Sequence, residues 1–253
     1  MTNPDSSGMR APQWPRLSPL GSDGLLVSFG ERLEEAANRA ALAFRAAVDR
    51  AGMPGVAETA TSLASTYLRL EPALEDRARV MVQVQALLAG RDWFAAALPE
   101  NRKLWRIPCL FGTDRAPQLA EAAAEAGLTP DEAVRSIAET RVRVQTIGFA
   151  PGQPYLGELS PEWDIPRQTQ LTERIPVGAL CVAIRQLVLF PVSTPTGWRH
   201  IGQTAFRAFR PDAADPFPLR PGDEVIFEPV TADDYSTLEA AGPDGGALSE
   251  LLP

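Results

Sequence analysis

The stretch IGFAPGQPYLGELSPEWDIPRQ, residues 147–168, concentrates proline and glycine around three aromatic residues. Glycine permits positive φ angles and proline restricts the backbone, so this composition predicts a loop with one fixed conformation. Backbone N–H groups in such a loop can line a pocket. The alternative interpretation is a purely structural crossover between strands, because the sequence has no Walker-type glycine-rich loop for phosphate.

The chain around this stretch has the pattern of β structure. From Val142 onward, short apolar runs alternate with Pro and Gly clusters, which predicts a β barrel or sandwich. The clearest predicted strands are LCVAIRQLVLFPV (180–192), HIGQTAFRAFRP (200–211) and RPGDEVIFEPV (220–230). Residues 231–253 contain acidic side chains and no Lys or Arg, so we expect a loosely held acidic C-terminal tail.

The segment before the barrel pattern combines one strand with two helices. KLWRIPCLFG (103–112) predicts a strand, and Pro108 places it at a sheet edge or a strand end because proline has no N–H to donate. TPDEAVRSIAETR (129–141) predicts a helix that begins with a capping box, in which Thr129 is the N-cap and Glu132 its reciprocal partner.

The N-terminal part predicts a small α+β domain. GLLVSFG (24–30) predicts a strand, and apolar residues at helical spacing follow it. GVAETAT (55–61) and ASTYLRLEP (64–72) predict two more strands, and LEDRARVMVQVQALLAG (74–90) predicts a second helix. This βαββα order indicates a split βαβ sandwich over residues 21–103. Residues 1–20 are rich in Pro and Ser, and we expect them to form a flexible leader.

The composition excludes several classes of protein. A formal charge of −8 disfavours nucleic acid and anionic membranes as partners. One histidine and two cysteines cannot supply the spacing of a zinc site, and they argue against a disulfide framework, so no metal is expected. The sequence has no run of about 18 apolar residues. We therefore expect a soluble, cytoplasmic protein.

Several segments together resemble one family, that of the B-type subunit of 5-oxoprolinase. These segments are GFAPGQPYLGEL (148–159), IPRQ (165–168), RIPVGALCVAI (174–184), FPVSTPTGWRHIGQTAF (190–206) and LRPGDEVIFEPV (219–230). The family is also described as allophanate hydrolase subunit 1 or carboxyltransferase domain C/D, and it includes a bacterial inhibitor of a sensor kinase. The resemblance implies an α+β fold in which a ferredoxin-like domain (21–103) precedes a cyclophilin-like β barrel (104–230).

The resemblance also implies a function that needs a second polypeptide. It implies a related partner, either the C-type subunit of 5-oxoprolinase or a protein of the allophanate hydrolase subunit 2 type. Together the two chains would use ATP, with Mg²⁺, to open the lactam of 5-oxoproline to glutamate. The alternatives are a regulatory protein that inhibits a sensor histidine kinase, and a diverged relative that acts on another small amide such as allophanate.

The sequence departs from the family pattern at several polar positions. Ile137 stands where the family has a histidine, and Thr172 stands where it has an arginine. The glycine-rich turn of the family is replaced at residues 184–187, and Gln153 replaces a phenylalanine. The scaffold prolines and glycines are kept better than these groups, which favours a retained fold with altered chemistry.

Candidate ligand-binding residues follow from the needs of a small amide that carries a carboxylate. Arg167 offers a bidentate guanidinium for a carboxylate or phosphate, and Arg174 and Arg185 are weaker candidates of the same type. Surface ion pairs are the alternative role for these arginines. The other candidates are Gly152 for the loop backbone, Gln153 and Tyr155 for side-chain contacts, and Gln186 for an amide.

The sequence offers fewer candidates for catalysis than for ligand binding. His200 is the only histidine and is the natural general base near neutral pH, although a single histidine is more often a packing residue. Asp164 and Glu158 lie in the proline-rich stretch and are candidates for acid–base work. The sequence contains no serine-hydrolase elbow, HExxH or CxxC motif.

Overall fold

The computed structural model describes residues 14–71 and 76–252. The chain divides into two compact units, Met1–Leu98 and Pro99–Pro253. We call them the N-terminal unit and the barrel unit. No helix in the described ranges is long and apolar enough to span a bilayer.

The N-terminal unit is a four-stranded antiparallel sheet whose buried face packs with two helices. Its elements are β1 (Arg16–Leu20), β2 (Gly24–Ser28), α1 (Glu35–Ala51), β3 (Val56–Thr61), β4 (Ser65–Leu70) and α2 (Arg77–Ala89). The strand order is β1-β2-β4-β3. Alternate residues of β2 and β4, together with one face of each helix, form a single apolar core. The order from β2 to α2 confirms the predicted ferredoxin-like arrangement.

Strand β1 corrects the prediction of a flexible leader. It pairs along its whole length with β2, from Arg16 opposite Ser28 to Leu20 opposite Gly24. Proline and serine content alone favours disorder, but β1 is an edge strand, where Pro19 is tolerated and β2 supplies the backbone partners. The leader prediction is therefore wrong for residues 16–20. Residues 1–13 of the predicted leader lie outside the described residues.

The barrel unit is a closed seven-stranded barrel with flanking helices. Its strands are β5 (Lys103–Phe111), β6 (Val142–Ile147), β7 (Pro154–Gly157), β8 (Thr172–Ile175), β9 (Ala179–Ala183), β10 (Gln186–Leu189), β11 (Thr194–Thr196), β12 (Arg199–Gln203), β13 (Glu224–Pro229) and β14 (Leu248–Leu251). Its helices are α3 (Leu119–Glu125), α4 (Pro130–Glu139) and α5 (Ala232–Ala240), with a 3₁₀ turn at Pro161–Trp163. The barrel order is β12-β9-β10-β7-β6-β13-β5, and β5 closes it by pairing with β12. Strands β8 and β11 form a separate two-stranded sheet. This architecture confirms the α+β prediction with a cyclophilin-like barrel.

The neighbouring strands β9 and β10 are buried on both faces, which explains their continuous apolar sequence. Leu180 and Val182 pack into the main barrel core. Cys181 and Ala183, on the opposite face, pack with Trp198 in a second apolar cluster. Because successive strand residues point to opposite faces, a strand between two cores is apolar except where a buried polar side chain has a hydrogen-bond partner, as Gln186 of β10 has in Gln145.

Strand β5 lies inside the sheet, so the edge position predicted from Pro108 is wrong. One side of β5 pairs in parallel with β13, where Glu228 lies opposite Pro108. The other side is shared, because β14 pairs with residues 103–106 and β12 pairs with residues 110–111. Pro108 falls between these two partners, where its missing N–H breaks no ladder hydrogen bond on that side.

The predicted loosely held tail is instead part of the barrel unit. Helix α5 begins with a capping box between Thr231 and Asp234. Tyr235 is buried against Leu110 and Ala205. Strand β14 then pairs with the start of β5. The acidic composition of this segment marks the exposed side of an ordered helix rather than a tail.

Helix α4 confirms the predicted capping box. The Thr129 hydroxyl accepts a hydrogen bond from the Glu132 N–H, and the Glu132 carboxylate accepts one from the Thr129 N–H at 2.8 Å. These contacts hold the pKa of Glu132 below its usual value, because they favour the ionised carboxylate. Ile137, on the inner face of this helix, is buried in the barrel core.

Candidate functional site

Two cavities of different chemistry lie in the barrel unit. The first, which we call the aromatic cavity, has a volume of about 260 Å³. The second, which we call the polar cavity, has a volume of about 620 Å³. Five of the predicted site residues line these cavities: Gln153, Tyr155 and Arg167 line the aromatic cavity, whereas Arg174 and His200 line the polar cavity.

The aromatic cavity is built around Trp198. The Tyr155 ring meets the Trp198 ring edge to face, with centroids 6.1 Å apart. The Arg167 guanidinium lies 5.2 Å from the centroid of the same indole ring, which is a cation–π distance. Phe149 and Phe190 complete the aromatic lining. The cavity therefore offers flat apolar walls and one positive charge.

Gln153 is the buried polar group of the aromatic cavity. Its side chain is almost fully buried, and its Nε2 donates to the Tyr155 hydroxyl at 3.3 Å. Its Oε1 is shielded from solvent and has no hydrogen-bond partner among the described residues. A buried acceptor without a donor costs about 1–3 kcal/mol, so a ligand N–H at this position would be favoured.

The loop that carries Gln153 has the fixed conformation that its composition predicts. Gly152 has φ of +73°, and a Cβ atom there would lie 2.5 Å from the Ala208 carbonyl oxygen. The Gly148 N–H donates to the Gln153 carbonyl, and the Gln153 N–H donates to the Ala150 carbonyl, both at 3.1 Å. These two amides are therefore used inside the loop and do not line the cavity as donors.

Arginines and buried polar groups line the polar cavity. Arg115 forms an ion pair with Glu239 at 3.4 Å and lies over the Tyr235 ring. Arg174 and Arg207 also line the cavity, and neither side chain has an ion-pair partner in the described part of the chain. Among the described residues, the positive charges of these two arginines therefore have no carboxylate in ion-pair contact.

His200 lies in the wall of the polar cavity and is only 4% exposed. Burial lowers the pKa of His200 from 6.5, because desolvation disfavours the charged imidazolium; the Gly202 backbone and the Gln203 side chain oppose this effect. Its Nε2 has no hydrogen-bond partner among the described residues. The imidazole is therefore neutral near pH 7 and retains an unused ring nitrogen.

A pair of glutamines joins the walls of the two cavities. Gln118, from the polar cavity, donates through Nε2 to Oε1 of Gln168, from the aromatic cavity, at 2.8 Å. The Gln118 Oε1 accepts from the His200 backbone N–H at 2.8 Å, and the Gln168 Nε2 donates to the Trp198 carbonyl at 3.2 Å. Both side chains use donor and acceptor, so the amide orientations are fixed.

The remaining predicted site residues lie outside both cavities. Glu158 is exposed and pairs with Arg185 at 3.5 Å. Asp164 is exposed beside the 3₁₀ turn. Gln186 is buried within the barrel wall, where its Nε2 donates to Gln145 Oε1 at 2.7 Å.

The turn between β9 and β10 keeps a glycine-like backbone without glycine. Ile184 and Arg185 have φ of +45° and +60°. The Ile184 N–H donates to the Ile165 carbonyl at 2.8 Å, and the Arg185 N–H donates to the Trp163 carbonyl at 2.9 Å. These two bonds help to offset the cost of the left-handed conformation, which is large for a β-branched residue.

Several residues of the polar cavity have no signal in the sequence. Three separate segments supply Gln118, the nearby pair Gln203 and Arg207, and Tyr235, and only the folded barrel unit brings these segments together. Each residue type is common on protein surfaces, so none is distinctive by itself. Their only possible signal is a long-range contact, which one sequence does not reveal.

A family model described as carboxyltransferase domain, subdomain C and D, matches residues 15–219. This protein belongs to that family. Among its relatives is the B-type subunit of 5-oxoprolinase from Bacillus subtilis strain 168, 30% identical over 227 residues that cover 87% of this chain and 95% of the relative. The corresponding B-type subunit from Escherichia coli O157:H7 is 37% identical over 131 residues, which cover 52% of this chain and 60% of the relative.

Two solved structures place the fold among larger proteins. A crystal structure of TTHA0988 has a TM-score of 0.70 and 30% identity, over 83% of this chain and 40% of that chain. This protein therefore spans two fifths of the solved chain. The Kluyveromyces lactis urea amidolyase has a TM-score of 0.71 over 96% of this chain and 17% of its own, and its 14% identity shows a shared fold alone.

Proposed function

We propose that this protein is the B-type subunit of an ATP-dependent 5-oxoprolinase, and that its aromatic cavity binds the lactam substrate. The family membership and the similarity to the Bacillus subtilis relative along nearly its whole length support the enzyme class. The observation that carries the substrate assignment is the presence of Arg167 and the unpartnered Gln153 Oε1 in the same small cavity.

The groups of the aromatic cavity match those of 5-oxoproline. The substrate has a carboxylate, which the Arg167 guanidinium can bind through a charge-assisted contact. It has a lactam N–H, which the Gln153 Oε1 can accept. Its ring methylenes are apolar and suit the faces of Tyr155 and Trp198. Because the carbon that carries the carboxylate is bonded to the lactam nitrogen, these contacts would hold one edge of the substrate and leave the lactam carbonyl free for attack.

The chemical step is assigned to groups outside this cavity. No carboxylate or histidine is found among the described residues that line the aromatic cavity. The described part of the chain also contains no cluster of three His, Cys, Asp or Glu side chains that would fit a metal ion. We assign ATP and its Mg²⁺ to a partner that resembles the C-type subunit of 5-oxoprolinase, or to the joint with it, because the proposed reaction needs two related chains.

The rim of the aromatic cavity supports a requirement for a partner. Phe149 and Leu171 lie at this rim and are 79% and 59% exposed. Large apolar side chains at the mouth of a ligand cavity are typical of a surface that another protein covers. The partner would complete the cavity and exclude water from it.

The test is a reconstituted pair assayed for ADP release that depends on 5-oxoproline. We expect Arg167→Ala to raise the substrate concentration needed for half-maximal rate by about 10- to 100-fold, because a charge-assisted contact contributes about 1.5–3 kcal/mol. Gln153→Glu should act in the same direction, since it places a carboxylate near the substrate carboxylate. Arg106→Ala is the control, because Arg106 is a half-exposed arginine paired with Glu228 outside both cavities.

Three outcomes would contradict the proposal. The pair could show no 5-oxoproline-dependent turnover, or it could turn over with unchanged affinity in both variants. It could also act on allophanate and not on 5-oxoproline, which would favour a diverged amidohydrolase. Inhibition of a sensor kinase by the isolated chain, without turnover by the pair, would favour the regulatory alternative.

A further inference from the structure

We propose that the polar cavity is a second ligand site, and that it binds an acidic amino acid, which is a dicarboxylate with an ammonium group. The assignment depends on residues that the proposed substrate site does not use. It also does not depend on ATP or on a partner protein, because all of its groups come from this chain.

The charges of the polar cavity match such a ligand. Arg174 and Arg207 lack protein counter-ions among the described residues, so each can bind one carboxylate in a bidentate contact. Glu239 is already engaged by Arg115 and by the Tyr235 hydroxyl. Asp114 is exposed in the same lining and has no partner within the described ranges, which leaves one negative charge for an ammonium group.

Gln203 adds an acceptor with a fixed orientation. Its Nε2 donates to the Val177 carbonyl at 2.8 Å and to the Thr204 carbonyl at 3.2 Å. Since these two bonds use the amide nitrogen, the orientation of the amide is set. Its Oε1 is buried and has no hydrogen-bond partner in the described part of the chain. A ligand N–H that reaches this wall would satisfy it.

The wall also contains a second buried polar atom without a partner in the described residues. His200 Nε2 is shielded from solvent, and the His200 ring belongs to the same lining as Gln203. The two side chains are neighbours, since the Gln203 side chain opposes the lowering of the His200 pKa, and together they present a polar patch in the wall of the cavity. The apolar side chains of Ile175 and Val177 provide contact for the methylene groups between the two carboxylates.

The experiment is calorimetric binding of L-glutamate to the full chain alone, with NMR of the imidazole as a second readout. His200 is the only histidine, so its signal reports on the polar cavity without ambiguity. We expect L-glutamate to bind and to shift this signal. Arg174→Ala and Arg207→Ala should each weaken binding by about 10- to 100-fold, whereas Arg106→Ala should leave it unchanged.

The ammonium group is tested separately. Glutarate has the two carboxylates of glutamate and no ammonium group, so it should bind more weakly to the native chain. Asp114→Asn should reduce this preference, and because Asp114 is exposed the variant should fold normally. Equal binding of glutarate and glutamate would overturn the ligand class.

Other results would overturn the site itself. These are the absence of glutamate binding, binding that neither arginine variant weakens, and inorganic phosphate binding as tightly as glutamate. Failure of turnover in the reconstituted pair leaves these measurements unaffected, so the two proposals can fail independently.

Discussion

The two cavities of the barrel unit differ in chemistry although a hydrogen bond between Gln118 and Gln168 joins their walls. The aromatic cavity has four aromatic side chains and one arginine, whereas the polar cavity has three arginines, two carboxylates and one histidine. The first suits a small ring compound with one carboxylate, and the second suits a more highly charged ligand. The comparison shows that one barrel unit can hold two cavities whose linings differ in charge and in aromatic content.

The largest predicted effect on stability, and the one that best distinguishes the two cavities, comes from a substitution at Gly152. Gly152→Ala would force a side chain into positive φ and against the Ala208 carbonyl, so we expect a loss of about 2–4 kcal/mol in the free energy of unfolding. The displaced loop should weaken 5-oxoproline turnover by the reconstituted pair more than it weakens glutamate binding by the polar cavity, where the effect is indirect because Ala208 adjoins Arg207. Urea denaturation and the two ligand assays measure these effects.

Gly127→Ala is the matched control for this substitution. Gly127 lies in the same unit with φ of +71°, and none of the described atoms lies within 4 Å of the position of its Cβ. The conformational cost is then present without the clash, and we expect a loss of about 1–2 kcal/mol. Equal losses in both variants, or equal damage to both ligand sites from Gly152→Ala, would contradict the separation of the cavities.

A smaller effect on stability is expected from removing the hydrogen bond between Gln118 and Gln168, which joins the walls of the two cavities. In a double-mutant cycle of Gln118→Ala and Gln168→Ala, we expect a coupling of about 0.5–1.5 kcal/mol in the free energy of unfolding, because each side chain is the other's hydrogen-bond partner. The cycle cancels the separate loss of the bond between Gln118 and the His200 N–H. Additive single-variant effects would show that the two walls are independent.

The smallest effect concerns the protonation of His200. Its pKa in the folded chain lies below 6.5, so the imidazole binds a proton more strongly in the unfolded chain than in the folded chain. This group therefore lowers stability as the pH falls from about 7 through 6.5 towards its folded pKa, by at most about 1.4 kcal/mol per pH unit. NMR titration gives the pKa directly. Urea unfolding of His200→Gln should show a flatter dependence on pH in this window, and an unchanged profile would contradict the prediction.

One part of the aromatic cavity lining is close together in the sequence. Gln153, Tyr155 and Arg167 of this cavity all lie in the proline- and glycine-rich stretch of residues 147–168. Local composition fixes a loop conformation, and a short loop brings its own residues together. The ring of Trp198 comes from a later segment, and its sequence context indicates packing on the core rather than a place in this cavity.

The polar cavity cannot be predicted in the same way. Its lining comes from the segment before α3, from β8, from β12 and from α5, which meet only when the barrel closes. The hydrogen bond between Gln186 and Gln145 cannot be predicted either, because the apolar pattern of strand β10 does not reveal which distant side chain is the partner of Gln186. The predicted C-terminal tail is wrong because it is based on the acidic composition, whereas Thr231 and Asp234 form the capping box that begins helix α5.

The pairing of β5 has a consequence for how the protein emerges from the ribosome. Strand β5 is synthesised long before its main partner β13 and its outer partner β14. The sheet of the N-terminal unit, by contrast, pairs strands that are close in sequence and can form at once. A nascent chain should therefore carry one folded unit and an unpaired, apolar β5, which is a ready substrate for chaperones until β13 and β14 have emerged.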